Sequence, residues 1–229
     1  WTGRSGPWGS GTGAGCMPSK YGTTMSDWNV GRVTNMRLMF YYASAFNQDL
    51  NGWDVSRVTN MNNMFTAANA FNYDLNNWVV SKVTHMDRMF SSASVFNGDI
   101  SDWDVSNVND MDYMFASASQ FNQDLSGWTG HAATTPQSNM FSSANAFHAM
   151  YVCQNPLDGP ASSCAVCSAG KYKDASVCKN CPTGKYQHQA GQTDCHNCGV
   201  GQYNDETGLT ASSQCKNCGM GRYNDVEGL

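Results

Sequence analysis

FNQDLNGWDVSRVTNMNNMF (residues 46–65) returns with small edits along the chain, and the period of its return decides how the chain folds. Aligned on tryptophan, Trp28, Trp53, Trp78, Trp103 and Trp128 stand 25 residues apart. Val30, Val55, Val80 and Val105 follow, then Val33, Val58, Val83 and Val108, then Met36, Met61, Met86 and Met111. Phe40, Phe65, Phe90 and Phe115 come next, and Phe46, Phe71, Phe96 and Phe121 close each unit. The fifth unit, WTGHAATTPQSNMF, carries one extra residue and a proline, Pro136, yet keeps Met140, Phe141, Ala144 and Phe147. Upstream, Tyr21 and Met25 stand where Phe46 and Leu50 do, so a half-unit precedes Trp28.

A fixed period of this length signals a solenoid, in which no coil buries its own apolar side and stacked coils share one core. Two local periods occur inside each unit. Trp53 and Val55 alternate with Asp54, which predicts a short strand with one buried face. Met61, Met64, Phe65, Ala68 and Phe71 fall at helical spacing, which predicts a short helix on the other side. Strands about 4.8 Å apart would let five coils span roughly 25 Å. Methionine in the core fills irregular gaps beside rings, and no histidine recurs with it to favour a copper site.

Asn47, Asn72, Asn97 and Asn122 form one polar column and Asp49, Asp74, Asp99 and Asp124 another. Stacked amides can bond along the solenoid and satisfy turn backbone. Stacked carboxylates repel unless each accepts backbone N–H bonds, so turn capping is the expected role. Calcium is the minor alternative, since the compact D-x-D-x-D-G loop is missing, and no cofactor is expected.

The phrase WDVSRVTNMNNMF, followed by the alanine, Phe-Asn and Asp-Leu positions, resembles the BspA-like surface-protein repeats of the leucine-rich-repeat type. The resemblance covers about residues 21–150. It implies a leucine-rich-repeat-like solenoid, a place on the cell surface, adhesion or display, and no catalytic residues. The Pro136 unit departs from the pattern and reads as a terminal cap.

Beyond residue 150 the grammar changes to C-x-x-C-x-x-G-x-Y, carried by Cys153, Cys164, Cys167, Cys178, Cys181, Cys195, Cys198, Cys215 and Cys218. Cys195, Cys198, Cys215 and Cys218 match a zinc ribbon's spacing. Disulfides are the reading preferred here, each second cysteine closing onto the first of the next pair: Cys153–Cys164, Cys167–Cys178, Cys181–Cys195 and Cys198–Cys215. Interlocked pairing such as Cys164–Cys178 with Cys167–Cys181 stays open, because spacing alone does not determine connectivity. Cys16 and Cys218 are left unpaired within the segment. This stretch has almost no aliphatic core, so bridges worth about 2–4 kcal/mol each must hold it, in an oxidising compartment. CPTGKYQHQAGQTDC also resembles the ephrin-receptor-like cysteine-rich repeats and, more distantly, the first loop of tumour-necrosis-factor-receptor modules. That resemblance implies an extracellular, disulfide-rich, loop-dominated rod of small modules.

The expected organisation is a Gly-rich segment (1–20), a solenoid (21–150) and cysteine-rich repeats (151–229). Both ends read as truncated, and GTGAGC before Met17 lacks the apolar run of a lipoprotein leader. Charged residues are 14% and the net charge is −5, which argues against nucleic acid. No run reaches the roughly 20 apolar residues of a membrane span. There is no N-x-S/T acceptor for N-linked sugar. The histidines share no repeated partnership with Ser, Cys or Asp, so no enzyme is expected.

Two functions follow from these readings. One is a subunit of an extracellular fibre, flagellar hair, scale or wall layer, joined to itself or to other surface and matrix proteins through open solenoid edges. The other is adhesion to a basic protein or a glycan through an acidic strand face bearing Asp27, Asn29, Asp54, Asn77, Asp102 and Asp104.

Overall fold

The structure is a computed structural model and describes residues 25–220. The described residues form two compact units, 25–149 with 153–164, and 150–152 with 165–220. Most of the described residues are turn and loop, and among them are three small antiparallel hairpins and four disulfides.

In the first unit the 25-residue period is a physical register. Parallel bridges join Asn35 to Asn60, Asn60 to His85 and His85 to Asp110. Phe40, Phe65, Phe90, Phe115 and Phe141 stack in a column with centroids 5.2, 5.5, 5.9 and 5.9 Å apart. Phe46, Phe71, Phe96, Phe121 and Phe147 form a second column at 5.8–6.1 Å. Trp78, Trp103 and Trp128 form a third, at 6.3 Å per step. The rings lie wider than the expected strand spacing because near-parallel aromatic faces prefer offset stacking over close superposition. Each indole N–H is buried, and each finds a backbone acceptor in the preceding repeat: Trp53 to Met25, Trp78 to Leu50, Trp103 to Leu75, all 2.8 Å, and Trp128 to Ile100, 3.2 Å. A tryptophan column therefore adds apolar burial without orphaning a donor.

Two expected elements are absent. Between residues 28 and 129 no helix or strand forms. Met61, Met64, Phe65, Ala68 and Phe71 are all buried on one side, as a helix would place them. They arrive there through consecutive turns: Met64 N bonds Met61 O and Ala68 N bonds Phe65 O, both i to i−3. Asn63 and Ala67 take φ of 56° and 57°, and the same two columns are left-handed in every repeat from Leu38 and Tyr42 to Asn139 and Ser143. A left-handed residue every fourth position forbids a helix and turns alternate N–H groups toward the neighbouring repeat. Met61, Asn63, Phe65 and Ala67 donate to His85, Asp87, Met89 and Ser91 at 2.8–3.0 Å. The helical spacing was thus correct about the buried side and wrong about the backbone, because a bond to the next repeat displaced the local one. The predicted strand fails similarly: Trp53 and Val55 are buried and Asp54 exposed, but Trp53 N closes a turn on Leu50 O. The bond from the earlier repeat falls further on, from Thr59 N to Thr34 O at 2.8 Å.

The fifth repeat departs where its sequence does. Gly130 stands in the column of Val55, Val80 and Val105 with φ 97°, and a Cβ there would lie 2.5 Å from Ser106 Cα. A four-residue helix, α1 (His131–Thr134), takes up the extra residue and buries Ala132 and Ala133. Gln137 Oε1 then accepts from Met111 N at 3.0 Å, doing with a side chain what the Asp110 carbonyl does for Met86. A second helix, α2 (Asn145–Met150), buries Phe147. The outward N–H groups of this last repeat are met by the loop that the Cys153–Cys164 bridge closes. Asp158 O accepts from Gln137 N (2.8 Å), Asp158 Oδ1 from Asn139 N (2.7 Å) and Leu157 O from Phe141 N (2.9 Å). The terminal position of the Pro136 unit is thus completed by a loop further along the chain.

The second unit is built from hairpins β1–β2 (Lys171–Asp174, Val177–Asn180), β3–β4 (Lys185–Tyr186, His196–Asn197) and β5–β6 (Gln202–Tyr203, Lys216–Asn217). Bridges Cys167–Cys178, Cys181–Cys195 and Cys198–Cys215 join their ends. Cys195 and Cys198 are consumed in separate bridges, so the alternative four-thiolate zinc ribbon does not form. Gly170 shows why the phrase needs glycine: its φ is 80°, and a Cβ would sit 2.4 Å from Gly208 O. With few aliphatic residues available, buried amides fill the centre. Gln187 and Asn204, each following the tyrosine of G-x-Y, are 2% and 3% exposed. Gln187 Nε2 donates to Asp194 O and Asn204 Nδ2 to Glu206 O, at 2.7 and 2.8 Å.

Candidate functional site

The six polar residues expected to form a recognition strip, Asp27, Asn29, Asp54, Asn77, Asp102 and Asp104, are all exposed. None lies in a strand: Asn77 and Asp102 sit in turns, and Asn29, Asp54 and Asp104 each stand two residues before one, so the strand face on which they were placed is a row of turns and the chain leading into them. Asp54 Oδ1 accepts from Ser56 Oγ (2.6 Å) and Ser56 N (3.1 Å), and Asp104 Oδ1 accepts from Ser106 N (3.1 Å). Asn29 Oδ1 accepts from Gly31 N at 3.3 Å. Asp54 reaches the adjoining repeat as well, since a Cβ on Gly31 would lie 2.9 Å from Asp54 Oδ2 and 3.6 Å from Asn29 Oδ1. Asp102 Oδ2 accepts from Asn76 Nδ2 at 2.8 Å, and Asn77 N donates to Asn51 Oδ1 at 3.0 Å. Asp27 ends the 3-10 helix Met25–Asp27. Val79, 58% exposed, interrupts the row between Asp54 and Asp104.

The electrostatics of the row follow from these bonds. The Ser56 hydroxyl, then its N–H, holds the Asp54 carboxyl below its ordinary range, with Arg57 adding a smaller pull. Ser106 does the same for Asp104. Charge on this side is thereby held on carboxylates already engaged by the serine two residues on.

The two long polar columns knit neighbouring repeats together. Asn97 N donates to Asn72 Oδ1 at 2.6 Å and Asn122 N to Asn97 Oδ1 at 2.7 Å. Asp99 N donates to Asp74 Oδ1, and Asp124 Oδ1 closes a turn on Ser126 N. A third polar line was not anticipated. Arg37 Nε donates to Asn62 Oδ1 (3.1 Å) and Asn62 Nδ2 to Asp87 Oδ2. Asp87 lies 3.8 Å from Arg88, whose guanidinium covers the Tyr113 ring at 4.6 Å, and Asn139 Nδ2 donates to Tyr113 Oη. The line crosses all five repeats through residue types that change at every step, so identity along a column could not reveal it.

Among the described residues no group of three or more His, Cys, Asp or Glu side chains is placed to hold a metal ion. None of their helices is long and apolar enough to cross a membrane. Cys218 is a free, half-buried thiol, and Cys16 lies outside the described residues.

Comparison with known proteins adds two family matches. Residues 174–215 match the family described as tyrosine-protein kinase ephrin type A/B receptor-like, a stretch that runs from the last residue of β1 to the residue before β6. No curated protein and no solved structure matches the chain. The repeats match twice, over residues 16–94 and 74–152, which together span more than half of the sequence. On that match the chain belongs to the DUF285 family, described as Mycoplasma protein of unknown function.

Proposed function

We propose that this chain is an extracellular structural protein: a leucine-rich-repeat-like solenoid continued by disulfide-bridged modules, acting in a surface fibre, scale or wall layer and carrying out no catalysis. The observation that carries this reading is where the large side chains go. Phe65, Phe71, Phe90, Phe96, Phe115 and Phe121 are fully buried against their counterparts 25 residues away, so the conspicuous residues serve self-stacking. The resemblance to BspA-like surface repeats agrees with it. The four bridges and the ephrin-receptor-like match support an oxidising, extracellular setting. Sedimentation over a hundredfold concentration range, with electron microscopy of the concentrated sample, tests the reading. Assemblies that persist on dilution support it, and a strictly monomeric chain counts against it.

The loop around Asp158 favours a second reading, adhesion. Backbone donors at the end of the last repeat are already engaged by that loop, which removes one of the two edges that stacking between copies would use. What stays exposed is the lateral row of Asp54, Asp102 and Asp104, suited to a basic protein or a glycan. Immobilised basic peptides and a glycan array probed with the parent chain and with Asp54→Ala/Asp104→Ala would decide: binding lost only in the variant supports adhesion, and unchanged binding removes the row from consideration.

A further inference from the structure

We propose that His188 and His196 form a two-imidazole binding site for a divalent transition-metal ion of the copper, nickel and zinc class. The two rings lie with centroids 5.4 Å apart and planes 31° apart. A metal held at about 2.0–2.1 Å from one ring nitrogen sits about 3.2 Å from that ring's centroid, so two imidazoles at tetrahedral angles have centroids about 5.2 Å apart. The observed separation is within a few tenths of an ångström of that value. Each exposed ring can turn about its broad terminal torsion, which moves its nitrogens while leaving the centroid separation unchanged.

The backbone under the pair is held. His196 pairs with Tyr186 in the β3–β4 register, which puts those two side chains on one face, and His188 lies two residues past the end of β3, where the chain brings its ring alongside them. The Tyr186 ring flanks both imidazoles, 6.3 Å from His188 and 5.5 Å from His196. The Cys181–Cys195 bridge ties the residue before His196 to the chain four residues ahead of β3, and Gln187 Nε2 to Asp194 O fastens the loop between the two histidines. The backbone that carries the two rings is thus held in advance, which lowers the ordering cost of binding. Imidazole suits copper, nickel and zinc, whereas calcium and magnesium require oxygen donors. Two protein ligands leave the other coordination positions to water or to a donor from another molecule. The remaining described histidines are differently placed: His85 Nδ1 is 2.9 Å from Thr84 Oγ1, His148 Nε2 donates to Phe141 O, and His131 opens α1.

The test uses the full chain. Titration calorimetry with Cu(II), then with Zn(II), is expected to give one equivalent at the pair, weakened at least tenfold by either His188→Ala or His196→Ala and abolished in the double variant. His131→Ala is expected to bind as the parent does. Copper electron paramagnetic resonance of the parent is expected to show coupling to imidazole nitrogen, a readout independent of any loss of folding in the variants. Non-reducing mass spectrometry verifies that all variants keep four bridges. Binding that survives in the double variant, a parent chain that binds no metal, or a copper spectrum without imidazole coupling overturns the proposal.

Discussion

Phe90 illustrates the packing at the scale of one residue. Its ring meets Phe65 at 5.5 Å, Phe115 at 5.9 Å, Phe96 at 3.9 Å and Trp103 at 6.3 Å, and none of its surface reaches water. Phe90→Ala leaves a cavity walled by rings that are themselves pinned from both sides, so the site cannot collapse. We expect a loss of about 3–5 kcal/mol, read as a lower urea midpoint with unchanged slope. Asp54 shows the residue scale at the surface. Its carboxyl is held low by Ser56, so its contribution to stability is present above the ordinary aspartate range and is lost as pH falls through the lowered value. Ser56→Ala should move the Asp54 midpoint, followed by carbon NMR of the carboxyl, up toward that ordinary range. A midpoint that does not move would mean the hydroxyl is not its cause.

At the scale of the element, the repeat is a sequence of turns whose left-handed corners are occupied by ordinary residues. Ser92, with φ 58°, donates its N–H to Ala116 O at 2.7 Å, so the corner that costs backbone energy also makes a bond to the next repeat. A β-branched side chain tolerates that conformation worse than serine does. Ser92→Val should destabilise by roughly 1–2 kcal/mol, whereas Ser92→Gly should be close to neutral in a parallel thermal melt. The closing loop is the other element with a definite role. Asp158 engages Asn139 N through one carboxylate oxygen and Asn155 Nδ2 through the other. Asp158→Ala orphans the Asn139 N–H at the end of the stack, at a cost of about 1–3 kcal/mol, and Asp158→Asn keeps one acceptor and should cost less. Faster hydrogen exchange at Asn139 in the alanine variant is the local check.

For the molecule as a whole, the two units hold together by different means. Five of the seven tryptophans lie in the repeats and none lies beyond residue 128, so indole fluorescence carries no signal from the bridged modules. Cys167→Ser/Cys178→Ser removes a bridge from the second unit, whose interior is amide and sulfur with little aliphatic material. We expect a loss of about 2–4 kcal/mol there, seen as early proteolysis within residues 165–220 while the tryptophan emission of the repeats is unchanged. A simultaneous loss of the tryptophan signal would mean that the repeats depend on the bridged modules for their stability.

Much of the first unit was legible in the sequence because the physics that selects a residue at one repeat acts again 25 residues later. Columns of Phe, Trp, Met and Val named the buried side, and the Asn column named a bonded polar ladder. Backbone conformation was not legible. Turns with left-handed corners and a helix return side chains to one side at nearly the same spacing, and only the competition for N–H groups between a residue's own chain and the adjoining repeat separates them. Likewise Asp54 and Asp104 could be recognised as exposed from their alternation with Trp and Val, but their engagement by Ser56 and Ser106 depends on the corner's geometry. The polar line from Arg37 to Asn139, the closing loop at Asp158 and the approach of His188 to His196 join residues whose identities follow no period. The period alone therefore determined which side chains face inward; the placement of everything aperiodic was decided by chain folding, which brings distant residues within bonding range for reasons no single repeat contains.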